Sequence, residues 1–132
     1  MEKEILYKFN DKTRSAKQLT LSVLQATQLL TILNAELARI LRVQCSDIGN
    51  LYDAHSILEE NTESMTLARK FIYFYNLLHD HLQGDAVAMR HWIRTSNKFL
   101  KGIPMLMIID DDRLDEIIGF LESPHDHCSQ EG

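Results

Sequence analysis

The sequence predicts an all-α protein, with an N-terminal helix-turn-helix unit followed by a compact C-terminal multi-helix domain. Three observations carry that expectation. Apolar residues recur near a 3.6-residue period along most of the chain, residues that favour helix N-termini stand before the periodic runs, and no segment alternates convincingly with the period of two that marks a strand. With 132 residues, 45% of them hydrophobic, the chain can close one core or two small helical subdomains sharing one.

Residues 1–16 carry scattered apolar groups (Ile5, Leu6, Tyr7, Phe9) without a sustained period. They read as a flexible arm or a short extended segment, made basic by Lys8, Lys12 and Arg14. From Lys17 the spacing of Leu21, Leu24, Leu29, Leu30 and Leu33 predicts a first helix. A second is expected from Asn34, as N-cap, with Leu37, Ala38 and Leu41 inward, and a third after the cap residue Ser46, with Ile48, Leu51 and Tyr52 inward. Residues 17–60 form the expected helix-turn-helix domain.

Asn61, Thr62 and Ser64 break the pattern before a longer helix over 65–82, whose core face is Leu67, Phe71, Phe74 or Tyr75, and Leu78. Gly84 stops it, and Asp85 caps a helix through Trp92 and Ile93. Asn97 is expected to restart a short helix with Phe99 and Leu100, Gly102 to allow a positive φ at its end, and Pro104 to open the next, over 105–109. Asp110, Asp111 and Asp112 should break and recap the chain ahead of a last helix with Leu114, Ile117, Ile118 and Leu121 inward. Residues 61–123 thus form the second domain, and 124–132 a disordered tail.

In the stretch from Leu33 to Leu51, Ala38 is the small residue where two helices would cross, Leu37 and Leu41 flank it, Val43 closes the turn, and Ile48 and Leu51 sit at the two anchor spacings. These positions agree with the helix-turn-helix of the Xre and phage-repressor type, against an ordinary packed helix pair. Arg42 stands where that turn usually has Gly, so it must adopt a left-handed conformation or change the turn. Gln44, Cys45, Ser46, Asp47, Asn50 and Asp53 would face the major groove, and Gln44 and Asn50 suit adenine edges. No Lys or Arg is among them. Phosphate contacts fall to Arg39, Arg42 and the N-terminal arm, and the net charge of −5 excludes a protein that coats nucleic acid.

Downstream, the spacing of Trp92, Asn97, Leu100, Gly102 and Pro104, preceded by Gly84-Asp85 and Ala88, resembles the toxin-binding domain of the Xre/MbcA/ParS antitoxin family over residues 67–121. Two positions depart from it: Ser96 replaces the family's Pro before the Asn, and Glu122-Ser123-Pro124 stands where a Gly is usual. The resemblance implies an antitoxin that neutralises a RES-type toxin, an NAD-consuming enzyme, and that commonly represses its own operon as a dimer. It places the five motif residues in the scaffold, and toxin contacts on exposed neighbours and the tail.

No Gly-rich loop, nucleophile elbow or paired-carboxylate motif is present, so catalysis and a cofactor are not expected. His79-Asp80-His81 and His125-Asp126-His127-Cys128 lack the spacing of a structural zinc motif, so no metal is expected either. Phe71, Tyr73, Phe74 and Tyr75 point to several faces of one helix, which predicts a homodimer interface, with cover from within the chain as the alternative. The sequence has no run long enough to cross a bilayer and no signal-peptide pattern. With Cys45 and Cys128 read as free thiols, a cytoplasmic protein is expected.

Overall fold

The computed structural model describes residues 3–9 and 15–123 and is all-helical, with seven helices among those residues: α1 (Ala16–Leu29), α2 (Asn34–Leu41), α3 (Cys45–Tyr52), α4 (Glu63–Leu82), α5 (Ala86–Arg94), α6 (Pro104–Asp111) and α7 (Leu114–Glu122). No helix among the described residues is long and apolar enough to cross a membrane. Lys12, Arg14 and residues 124–132, with the expected tail, lie outside the described residues.

Local chemistry sets most helix starts. Ser15 begins α1 with a reciprocal cap: its hydroxyl accepts from the Gln18 amide, and the Gln18 side chain accepts from the Ser15 amide. Thr62 and Asp85 accept from the amides of Met65 and Ala88 to open α4 and α5, and Pro104 occupies the first turn of α6.

Two cap assignments are corrected. The N-cap of α2 is Leu33, not Asn34, and that of α3 is Gln44, not Ser46. Neither cap side chain serves as acceptor. Glu36 and Asp47, each three residues past its cap, reach back to accept the cap residue's amide N–H, so an acid inside the first turn replaces the hydroxyl or amide expected in front of it. Leu33, placed inward in the first helix by its period, is consequently 64% exposed, and Leu21 is 51% exposed. Leu24 and Leu30 are buried as the period implies and are joined by Leu19, Val23 and Ala26, with Thr20, Ser22 and Thr27 satisfying their hydroxyls on carbonyls of their own helix.

Helix α4 is the axis, packed against α1, α2, α5 and α7. Being covered from several directions, it buries Leu67, Phe71, Phe74, Tyr75 and Leu78 together, where the sequence offers Phe74 or Tyr75 as alternatives. The aromatic surface expected to drive a homodimer is therefore covered within one chain. Only Tyr73 of that set remains exposed, at 37%, and its hydroxyl donates to Glu122 of α7. Buried side chains from residues 17–60 and from 61–123 belong to one continuous cluster.

Within the segment expected as a flexible basic arm, residues 3–9 run extended across α4 and α5, with Leu6 and Phe9 buried. Leu6 donates its amide to Gly84 O at 2.8 Å and Glu4 O accepts from the Ala86 amide at 3.0 Å, flanking an antiparallel bridge between Ile5 and Asp85. Gly84 is required at that junction. Its φ is +74°, and a Cβ there would lie 2.7 Å from His79 Nε2 and 3.0 Å from the Ile5 side chain.

Candidate functional site

The α2–α3 pair is two eight-residue helices joined by residues 42–44. Arg42 takes the left-handed conformation (φ 60°, ψ 46°) and, as C-cap of α2, donates its amide to Ala38 O, so the chain turns there without the usual Gly. Leu37, Ala38 and Leu41 of α2 and Ile48 and Leu51 of α3 are buried, while Val43 is half-buried.

Of the residues expected to face DNA, Gln44, Cys45, Ser46, Asp47, Asn50 and Asp53 are all exposed. The two cations meant to accompany them are engaged elsewhere in the fold. Arg39 pairs with Asp110 at the end of α6, and Arg42 pairs with Asp112 and with Glu63, whose carboxylate is 3.1 Å away. The Asp112 carboxylate, followed by Glu63, holds the Arg42 guanidinium above its ordinary pKa. Asp110 and Asp111 continue α6 rather than breaking it. The break falls at Asp112, with φ +55°, and Arg113 precedes α7 as its N-cap. Such exposed pairs contribute little stability, but they place a carboxylate within reach of each arginine and remove the net positive field a phosphate would follow.

The second candidate surface is the connection from α5 to α6. Trp92 is half-buried against Phe74 and His81 rather than fully inside, Leu100 and Pro104 are buried, and Asn97 and Gly102 are half-buried. The expected restart of a helix at Asn97 is corrected to a closed turn. Asn97 and Gly102 bridge each other through their backbones, and the Asn97 side-chain oxygen accepts from the amides of Phe99 (2.9 Å) and Leu100 (3.1 Å). The positive φ sits on Lys101, at +61°, one residue before the glycine assigned to it. Gly102 instead gives space: a Cβ there would lie 3.3 Å from Met107 Sδ. Phe99, left on the surface, stacks on Phe120 of α7.

Two features of this region have no clear sequence signal. Arg94 at the end of α5 makes two 2.7 Å bonds to Glu36 of α2, tying the two candidate surfaces together. Arg90 donates to Leu29 O at 2.8 Å and pairs with Glu4. Ion-pair partners nearly sixty or more residues apart cannot be matched by spacing. The Arg94 hydrogen bonds, against the opposing effect of burial, hold the Glu36 carboxyl below its ordinary pKa. Because the folded value is the lower one, the stabilisation is complete at neutral pH and is lost as pH falls from about 4.5 through that lowered value. Glu36, only 17% exposed, accepts charge-assisted bonds. Glu36→Gln is therefore expected to cost about 1.5 kcal/mol at pH 7 and less at pH 3. Urea titrations of both proteins at the two pH values check this; a loss of equal size at pH 3 contradicts it.

The His79-Asp80-His81 run is divided among three separate contacts. Since the Leu6 carbonyl can only accept, His79 Nε2 carries the proton and donates across 2.7 Å; Asp80 pairs with Lys8, and His81 lies edge-on to Trp92. Among the described residues no group of three or more His, Cys, Asp or Glu is placed to hold a metal ion.

No known protein family matches this chain, and no curated protein is similar enough to count as a relative.

Proposed function

We propose that this protein is a non-catalytic, antitoxin-like binding partner that neutralises a RES-type toxin, with α2–α3 serving as scaffold rather than as a DNA reader. The observation that carries the reading is the α5–α6 connection. Of the positions on which the antitoxin resemblance rests, Asn97 and Gly102 close a capped turn, Leu100 is buried within it, Pro104 opens α6 after it, and Trp92 packs from α5 onto Phe74 and His81 of α4. This arrangement leaves Phe99 and Leu106 exposed, the kind of apolar contact a protein partner takes up. The experiment is co-expression with a RES-type toxin encoded beside this chain's gene. Copurification and preserved cellular NAD are expected; a toxin that neither copurifies nor loses its NAD-consuming activity overturns the proposal.

Operator binding is the part of the antitoxin pattern that this surface disfavours, because Arg39 and Arg42 already face carboxylates. Fluorescence anisotropy with a labelled duplex of the upstream DNA tests it. The natural chain is expected to show no salt-dependent binding. Asp110→Asn/Asp112→Asn/Glu63→Gln, which removes the carboxylates facing both arginines, should gain weak binding whose affinity falls about tenfold between about 50 and about 200 mM salt, the response of roughly two phosphate contacts. Tight binding by the natural chain that Gln44→Ala/Asn50→Ala abolishes would restore the DNA-reading role.

A further inference from the structure

The slot between α4 and α5 that holds residues 3–9 recognises a backbone more than a sequence. Asn76 clasps Phe9 with both ends of its amide, accepting from Phe9 N–H at 3.0 Å and donating to Phe9 C=O at 2.7 Å. The Tyr75 hydroxyl donates to Tyr7 C=O at 2.7 Å, and His79 donates to Leu6 C=O. Gly84 O and the Ala86 amide complete the row from the turn that follows α4. Two buried positions supply the selectivity: an aliphatic residue, Leu6, three before an aromatic one, Phe9, whose ring meets that of Tyr75 edge-on at 5.2 Å. Lys3, Glu4, Leu6, Tyr7, Lys8 and Phe9 of this strap make hydrogen bonds and ion pairs to α4, to α5 and to the turn between them.

We propose that the slot also accepts the same segment from a second copy of this chain, giving a strap-exchanged dimer. The occupant follows from the fit, since the strap itself carries the Leu-x-x-Phe pattern that the slot buries. Reach permits it. With residues 3–9 seated in a slot, the chain between Phe9 and Ser15 spans, when extended, on the order of 20 Å, more than the roughly 14 Å radius of gyration of a body this size. Every contact broken in one copy is remade in the other, so exchange is governed by protein concentration and by the stretch before α1.

The Ile5–Asp85 bridge supplies the test. The bonds that flank it make the two a non-hydrogen-bonded antiparallel pair, whose Cα atoms lie about 4.5 Å apart, within disulfide range. In full chains carrying Cys45→Ser and Cys128→Ser, one tag marks a copy with Ile5→Cys and another tag a copy with Asp85→Cys. The two are refolded together at high concentration, oxidised, and run on a non-reducing denaturing gel. Exchange gives a covalent heterodimer whose yield rises with concentration and is several-fold greater than when the second copy carries Val87→Cys, an exposed position outside the bridge. No heterodimer, or equal yields with Asp85→Cys and Val87→Cys, overturns the proposal. Circular dichroism of each variant shows that it is folded.

Discussion

Asn76→Ala is expected to lower stability by about 3 kcal/mol and Tm by about 10 °C for a chain of this length. The residue is 7% exposed and makes two hydrogen bonds to Phe9. Truncation removes both and leaves a buried backbone N–H and C=O without partners, which costs more than the bonds themselves contributed. With its clasp gone, the strap is still held by the side chains of Leu6 and Phe9, the bonds from Tyr75 and His79, the backbone bonds to Gly84 and Ala86, and the exposed Glu4–Arg90 pair, but it has lost its buried anchor at Phe9 N–H and C=O. The amides of Leu6 and Ala86 should therefore exchange with solvent sooner than those of α4. Lys8→Ala, which removes only the exposed pair with Asp80, should stay within about 0.5 kcal/mol of the natural chain. Equal effects from the two substitutions would mean that the strap is not fastened at Asn76. Tyr75, whose phenol burial pushes up to about 12, remains neutral and able to donate throughout any such titration.

Ile48→Ala is expected to cost a further large amount, about 3 kcal/mol, concentrated in α3. That helix has eight residues and only two buried side chains, Ile48 and Leu51; a helix so short does not persist without its packing. Removing one anchor should erase amide protection across residues 45–52 before it affects α4. Ser46→Ala, by contrast, should change stability by less than about 0.5 kcal/mol, because Asp47 rather than Ser46 satisfies the cap. A Ser46→Ala cost near 1 kcal/mol would return the cap to Ser46, and a mild Ile48→Ala would mean that α3 is held by contacts other than its two anchors.

The contrast between those two residues shows how far the sequence can be read. Ile48 is legible because a buried anchor leaves a periodic trace, and the trace holds whatever lies opposite. Ser46 misleads because a capping residue is defined by one hydrogen bond, and Asp47 offers a competing acceptor from inside the turn. The same distinction governs the α5–α6 connection: its turn residues can be named, but whether Asn97 begins a helix or closes a loop depends on the distance left to Pro104. The strap shows no period because only two of its seven described residues, Leu6 and Phe9, enter the slot, too few to set one. One signal is present. Tyr75, Asn76 and His79 follow Ile72 at helical spacing, a polar stripe on a helix already lined with apolar residues, and buried polar side chains need partners.

By itself the sequence determined the all-helical class, the order of the helices and most of their inward faces, because 3.6-residue periodicity and capping act within one or two turns. The tertiary structure alone decided the chemistry of the surfaces. It brought Asp110 and Asp112 to Arg39 and Arg42, Glu36 to Arg94, and the strap to Asn76, across separations of 58 to 71 residues. Charge and hydrogen bonding act through space over a few ångströms, and no spacing along the chain records which distant side chains will lie that close.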